Sequence, residues 1–537
     1  MSENDNARGI LGPSQRADDL ARSNSQIFDL VIVGAGVTGA GAALDAAARG
    51  LKVALLESED IAFGTSSRSG KTLHGGLRYL QQLNFSLVRE AAHERNLLIS
   101  RVAPYLATPT PFLIPMEKPL VSRSFYGAGV TLYDALGGFR PAVPRHRHLS
   151  RKSTEAIAPS LRPDRMVGGI QYYDALVDDA RLTLVLARTA ASLGAVVLTD
   201  APVTSLVTSN GRISGVTFVD GASGLTHQIE ARVVINATGV WSEAVQELGG
   251  ESRVKVRPAK GIHILVPADR ITASSGLLAR AHDSVIVARP WADGRFWIIG
   301  TTDTPYDGDR EKPVATEADV TYLLDQINQW IEPQIRREDI IGRYAGLRPL
   351  VTGSAKSTVK LSRDHAVIDG PPGLVSVVGG KYTTYRVMGA DAVDRASRQL
   401  DRSVPSSRTR DLPLLGVDPA AGSSVDRHGL AGRYGTLTAD IAGLIDSDQS
   451  LGEPLVGGDG VLRAEIHYAA SAEGARSLED ALARRTHIAI QTRDHGAAAA
   501  EPTAEIMGLI LGWDADRRAT EVATYLSKTR YENGETQ

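Results

Sequence analysis

The chain has 537 residues, 42% hydrophobic and 23% charged, which is too long for one core and ordinary for a folded protein of two or three domains. Its 59 Lys and Arg stand against 62 Asp and Glu, a near balance that argues against nucleic-acid binding through bulk charge. It has no cysteine, so disulfides, thiolate nucleophiles, iron–sulfur clusters and cysteine-ligated zinc are excluded, and no metal site is expected.

Residues 1–26 are polar and charged, without the apolar stretch of a secretion signal, and are expected to form a frayed tail. No run approaches the roughly 18 apolar residues of a membrane-spanning helix, so any membrane contact is expected to be peripheral. Residues 28–33 then read as a buried strand, 39–49 as an Ala-rich helix closed by Gly50, and 53–56 as a second buried strand. That order predicts a parallel sheet with crossover helices. The pattern returns with a helix over 181–193 and strands over 196–198 and 233–236. Between about 250 and 340 the text changes to short β-like runs at 263–266, 284–288 and 296–299, which predict a mainly antiparallel domain interrupting the first. Residues 374–378 read as a further strand of the first sheet. Pro, Ser and Arg between 402 and 412 suggest a linker. Beyond it, helical periodicity marks 462–470, 477–490 and 514–528, and Ser477 with Asp480 has the spacing of a capping box. There is no internal repeat.

The chemistry begins at Gly34-Ala-Gly36-Val-Thr-Gly39, set between a strand and a helix. Gly34 permits the tight turn, Gly36 lets backbone approach a pyrophosphate, and Gly39 allows close helix–strand packing. Glu57 ends the next strand, at the spacing of an acid that binds ribose hydroxyls and disfavours a 2′-phosphate. The motif alone separates FAD from NAD no further. Residues 61–80, IAFGTSSRSGKTLHGGLRYL, are dense in hydroxyls, cations and glycines. Thr65, Ser66, Ser67 and Lys71 suit phosphate and flavin edges, although such a stretch is otherwise an ordinary solvated loop.

The chain resembles the FAD-dependent, quinone-linked glycerol-3-phosphate dehydrogenases within the D-amino-acid-oxidase-like flavoproteins. The resemblance rests on GAGVTGAG, TSSRSGKTLHGGLRYL, VDDARL, NATGVWS, GTTDTPYDGD, YAGLRPL and GGKYTTYR, in that order from about residue 28 to 390. LEDALARRT near 478 is similar to the family's C-terminal helical domain. The implied fold is a Rossmann-like FAD-binding domain (about 27–105, 175–242 and 342–400), interrupted by a mainly antiparallel β substrate domain (about 106–174 and 243–341). A helical domain over 401–537 follows.

The resemblance implies FAD as cofactor, held by Gly34, Gly36, Gly39, Glu57, Thr65, Ser66, Ser67, Lys71, His74, Gly75, Gly76, Ala237, Gly239, Gly380 and Thr383. It places Arg78, Tyr79, Arg348, Arg363 and Lys381 around a substrate, sn-glycerol 3-phosphate, whose phosphate calls for cations. One such arginine would more often sit on a solvated face; four cations in matching blocks argue otherwise. Hydride transfer to the flavin also needs a base for the hydroxyl proton. His263 is favoured for that role, His74 being as well suited to hold the loop or touch the flavin, and Arg348 and Lys381 complete the expected catalytic set.

The resemblance further implies a membrane quinone as electron acceptor, a homodimer, and a cytoplasmic protein peripheral to the inner face of the cell membrane. Three alternatives stay open: a glycerol-3-phosphate oxidase using dioxygen, a flavoenzyme oxidising amines or 2-hydroxy acids, and a flavin-binding protein without turnover. The oxidases typically carry an extra insertion in the middle domain, and none is evident here.

Overall fold

The computed structural model describes residues 9–118, 121–138, 142–250, 252, 255–282, 284–351, 365–420 and 425–532. A parallel core forms where the apolar runs fall. Leu374–Gly379, Thr226–Asn236, Phe28–Val33, Val53–Leu56 and Val196–Leu198 lie side by side in that order. Every residue of Phe28–Val33 and Val53–Leu56 is buried, as a strand covered on both faces requires. His365–Asp369 closes one edge antiparallel, and the hairpin Val203–Ser209/Arg212–Val219 extends from Thr226–Asn236. The helix Val37–Ala48 packs between the helices Asp179–Ser192 and Tyr385–Ser397 over this sheet.

The second sheet has ten strands and is antiparallel except where Gly276–Arg280 meets Ala107–Met116. Its centre is the long strand Val256–Pro267, flanked by Phe296–Gly300 on one side and Gly342–Val351 on the other. The sequence reading assigned residues 342–351 to the FAD-binding part; their hydrogen bonds to Val256–Pro267 put them in the antiparallel sheet instead. Short apolar strands carry no local mark of which sheet they join.

The polar N-terminal segment also departs from expectation. Residues 13–25 form the helix Pro13–Ser25, with proline in its first turn. Tertiary bonds hold it: buried Asp19 accepts from the Val197 N–H at 3.1 Å, and Arg16 donates to the Thr199 carbonyl at 2.6 Å. In the C-terminal region the helices Arg463–Ser471, Ala497–Leu511 and Ala515–Glu532 enclose a core of their own. The reciprocal bonds of Ser477 and Asp480 form as the spacing predicts. The helix expected over 477–490 is broken, however. It widens to an i→i+5 bond from Thr486 N–H to the Ala481 carbonyl and turns at His487, whose φ is 63°.

Buried ion pairs join that region to the FAD-binding part. Asp60 accepts from Arg484 at 2.6 Å and Arg485 at 2.7 Å, and Glu473 pairs with Arg181 and Arg188. Two neighbouring acids at the start of Asp179–Ser192 extend the network. Asp178 caps the helix through the Arg181 N–H at 3.0 Å and accepts from His487 Nε2 at 2.7 Å. Asp179 accepts from Lys71 Nζ at 2.5 Å and from the Ser69 N–H at 2.9 Å.

Lys71 and Asp179 are 1% and 0% exposed, so neither charge has water to fall back on. Burial alone would lower the Lys71 pKa, but the Asp179 carboxylate carries it above its ordinary value. Lys71→Met strands a buried carboxylate and should destabilise the fold by about 3–5 kcal/mol. A thermal or denaturant unfolding curve checks this, and wild-type stability would show the pair to be dispensable.

Candidate active site

The glycine turn opens onto a cavity of about 530 Å³. Gly34 adopts φ 101°, and a Cβ there would lie 2.9 Å from the Ala237 carbonyl oxygen. Gly36 lines the cavity, where an added Cβ would stand 3.2 Å from Ser66 Oγ. That hydroxyl accepts from the Val37 N–H at 2.9 Å, at the first turn of the helix. Glu57 lies at the cavity's far end with Ser58 and Glu59. Its carboxylate accepts from the Ala35 and Glu59 N–H groups at 2.7 and 3.2 Å, and burial pushes its pKa up. Thr65, Ala237 and Gly239 complete this side. A bare turn, helix amides and an acid beyond them fit an adenine dinucleotide.

A second cavity, of about 760 Å³, meets the first along Thr65, Ser69 and the Gly379–Gly380–Lys381–Tyr382 turn. Strand alternation furnishes its floor, because residues two apart share a face. Val256–Pro267 contributes Gly261 and His263, Gly342–Val351 contributes Gly346, Arg348 and Leu350, and Val285–Trp291 contributes Val285, Val287 and Arg289.

Arg348 is aimed by its neighbours. Nη1 donates to Asp303 Oδ1 at 3.0 Å, and Nη2 to Thr301 Oγ1 at 3.1 Å and the Thr302 carbonyl at 3.0 Å. A Cβ on Gly261 would fall 2.5 Å from that same Nη2, so the strand is bare where the guanidinium crosses it. Lys381 Nζ sits 3.7 Å from the centroid of the Tyr79 ring, a cation–π contact that fixes both across the cavity. His263 is 4% exposed and stacks on Tyr344, centroids 4.9 Å apart, while the Tyr344 hydroxyl donates to the Ser69 carbonyl at 3.0 Å. Burial, then the positive charges of Arg289, Arg348 and Lys71, hold the His263 pKa well below its ordinary value, so the imidazole is neutral.

Of the residues expected from sequence, His74, Gly76, Tyr79, Gly380 and Thr383 also line the second cavity. Four line neither. Lys71 is committed to Asp179 and to the Ser67 carbonyl at 3.2 Å, which makes it a strut under the loop rather than a phosphate ligand. Ser67 supplies that carbonyl. Gly75 gives its N–H to Tyr133 at 2.8 Å, and a Cβ there would sit 2.5 Å from the Tyr133 oxygen. Gly39 packs on the turn itself, its added Cβ 1.8 Å from the Gly34 carbonyl oxygen. Arg363 and the side chain of Arg78 lie outside the described residues. Arg289 was missed; its signal is the lone charge among the alternating apolar residues of VIVARPW.

The model of the FAD dependent oxidoreductase family matches residues 29–386, and that of the C-terminal domain of alpha-glycerophosphate oxidase matches residues 384–518. The chain is 45% identical over 537 residues to glycerol-3-phosphate dehydrogenase 2 of Mycobacterium tuberculosis, covering 97% of this chain and 91% of the relative. The chain belongs to the FAD-dependent glycerol-3-phosphate dehydrogenases. The mitochondrial glycerol-3-phosphate dehydrogenase of Bos taurus is 34% identical, with 97% of this chain and 76% of the relative covered. Among solved structures, the glycerol-3-phosphate dehydrogenase from Bacillus halodurans complexed with FAD superposes with a TM-score of 0.80, at 26% identity over 97% of this chain and 98% of that one. The glycerol-3-phosphate dehydrogenase fold thus extends across nearly the whole chain, and its cofactor is FAD.

Gly36→Val should crowd the wall shared with Ser66 and abolish flavin retention. The absorbance of purified protein after reconstitution with FAD measures this, and full occupancy would remove the turn from the phosphate site.

Proposed function

We propose that the protein oxidises sn-glycerol 3-phosphate to dihydroxyacetone phosphate and passes the electrons to a membrane quinone. The observation that carries this reading is the convergence of Arg348, Lys381 and a neutral His263 on one cavity that opens directly onto the dinucleotide turn. The names of the relatives at 34% and 45% identity support the same substrate and a dehydrogenase rather than an oxidase.

Bound FAD supplies the acceptor for the hydride that leaves the carbinol carbon. Gly34, Gly36, Ser66 and Glu57 would hold its dinucleotide half, and Gly380, Lys381 and Thr383 would face its ring. Arg348, held from behind by Asp303, presents a fixed charge to the phosphate. Lys381 and Tyr79 narrow the opposite wall. His263 takes the hydroxyl proton at Nε2, and stacking on Tyr344 keeps its ring in one plane. Among the described residues no helix is long and apolar enough to cross a membrane. Access to quinone therefore falls to a surface in peripheral contact with the inner face of the membrane. A homodimer belongs to the same reading.

Anaerobic glycerol 3-phosphate should bleach the flavin, while glycerol and D-amino acids should not; a flavin unchanged by the phosphate ester would sink the proposal. Peroxide formed at the rate of quinone-linked turnover would replace the dehydrogenase reading with the oxidase one. Arg348→Ala removes a charged contact worth about 1.5–3 kcal/mol and should lower kcat/KM more than tenfold.

The pH dependence follows from His263. A base works unprotonated, and burial holds this imidazole neutral well below its ordinary 6.5. On this assignment kcat/KM, corrected for the substrate's own phosphate ionisation, stays level as pH falls through 6.5 and declines only below it. His263→Asn should abolish that acid limb and slow flavin reduction. A limb centred at 6.5 or above would point to another base.

A further inference from the structure

Arg289 is a buried cation whose charge helps keep His263 neutral but whose Nε and Nη2 donors neither the fold nor the mechanism above uses. It sits on Val285–Trp291 opposite Ile298, and the alternation that turns Val285 and Val287 into the larger cavity turns Arg289 there too. The residue is 3% exposed, yet its Nε and Nη2 have no hydrogen-bond partner among the described residues. Asp179, the carboxylate whose charge reaches it, is committed to Lys71, and Asp174, which lines the same cavity, is committed to Arg95. Tyr344 offers it a polar contact, and burial still lowers its pKa. A guanidinium desolvated to this degree with idle donors is unfavourable unless an anion comes to it.

Its position says which anion. The point a Cβ on Gly70 would occupy lies 3.5 Å from Arg289 Nη2 and 3.7 Å from His263 Nε2. An opening beside Gly70, where one methyl group would touch both, is therefore common to the free edge of Arg289 and the proposed base. Nε–H and Nη2–H form the side edge of the guanidinium fork, which matches two oxygens of one tetrahedral or planar oxyanion. We infer that Arg289 is a specificity-determining residue that binds the substrate's phosphate side-on through Nε and Nη2, opposite Arg348, and thereby selects dianionic substrates. The inference rests on the proposed function, since it names the group that the same cavity holds.

The test uses the FAD-loaded enzyme and compares wild type with Arg289→Gln, Arg289→Lys and Gly70→Ala. Two numbers are read: the KM for glycerol 3-phosphate and the inhibition constant of inorganic phosphate. Arg289→Gln should raise both at least tenfold while kcat changes less. Arg289→Lys, which keeps the charge but loses the fork, should raise them by a smaller factor. Gly70→Ala leaves every charge in place and should raise them by narrowing the opening.

Unchanged values in Arg289→Gln overturn the inference and leave the proposed function standing, provided wild type is reduced by glycerol 3-phosphate. An acid limb that moves upward with both constants unchanged also overturns it, because Arg289 would then act only through His263. Should Arg289→Gln fail to hold FAD, Arg289→Lys and Gly70→Ala decide, and wild-type constants in both refute it. If wild type itself is not reduced, the proposed function fails. Phosphate binding, read from the flavin spectrum of wild type against Arg289→Lys, then judges the anion site by itself.

Discussion

Two consecutive carboxylates, Asp178 and Asp179, hold the site together. They stand at the N-terminus of a helix, where the backbone dipole and free N–H groups favour negative charge. From there they reach three stretches far apart in sequence. Asp179 holds the loop at Ser69 and Lys71, its carbonyl accepts from the Tyr382 hydroxyl at 2.6 Å, and Asp178 holds His487 of the C-terminal region. Ser69 and Tyr382 both belong to the wall shared by the two cavities. The passage between the dinucleotide turn and the cation-lined cavity is thus set by one helix end. The cost of burying these charges is offset only while every partner is present, which couples the loop, the flavin-facing turn and the C-terminal helices into one unit.

The antiparallel sheet solves a different problem, that of keeping cations close together without cancelling them. Arg348 has Asp303 behind it, and Lys381 lies against the face of the Tyr79 ring. His263 escapes the same difficulty by remaining neutral, since a proton there would add charge beside Arg289 and Arg348. A cavity of this kind is electrostatically incomplete, which suits it to the small dianion of the proposed reaction.

Much of this could be read from the sequence, and the misses share one cause. The strands Phe28–Val33 and Val53–Leu56, the helix after them and the Gly34–Gly36 turn are marked by local periodicity and glycine placement, so they were found. The blocks around Arg348 and Lys381 were found by resemblance, and His263 by the reaction's need for a base. What failed depends on partners distant in sequence. Lys71 reads as a phosphate ligand until Asp179, 108 residues on, claims it. The polar residues 13–25 read as a tail until Val197 and Thr199 supply their bonds. Gly75 reads as a place for a cofactor until Tyr133 occupies the space. Arg289 goes unmarked in the sequence because strand pairing, not local pattern, decides that its face is interior.

On the proposed reaction, the phosphate is the same in substrate, transition state and product. Contacts to it from Arg348 and Lys381 therefore bind all three about equally, which by itself tightens binding without speeding the chemical step. They assist the rate only by fixing where the carbinol carbon lies, so rigidity matters more than charge. This explains why Arg348 is tied at both of its terminal nitrogens to Asp303, Thr301 and Thr302, and why Gly261 leaves that guanidinium room to lie flat across the strand. Differential stabilisation has to come from groups at the reacting end, where the hydroxyl loses its proton. There the structure supplies a neutral imidazole whose plane is set by Tyr344, itself anchored to the loop that Asp179 holds. The same buried acid pair that shapes the passage therefore also orients the proposed base.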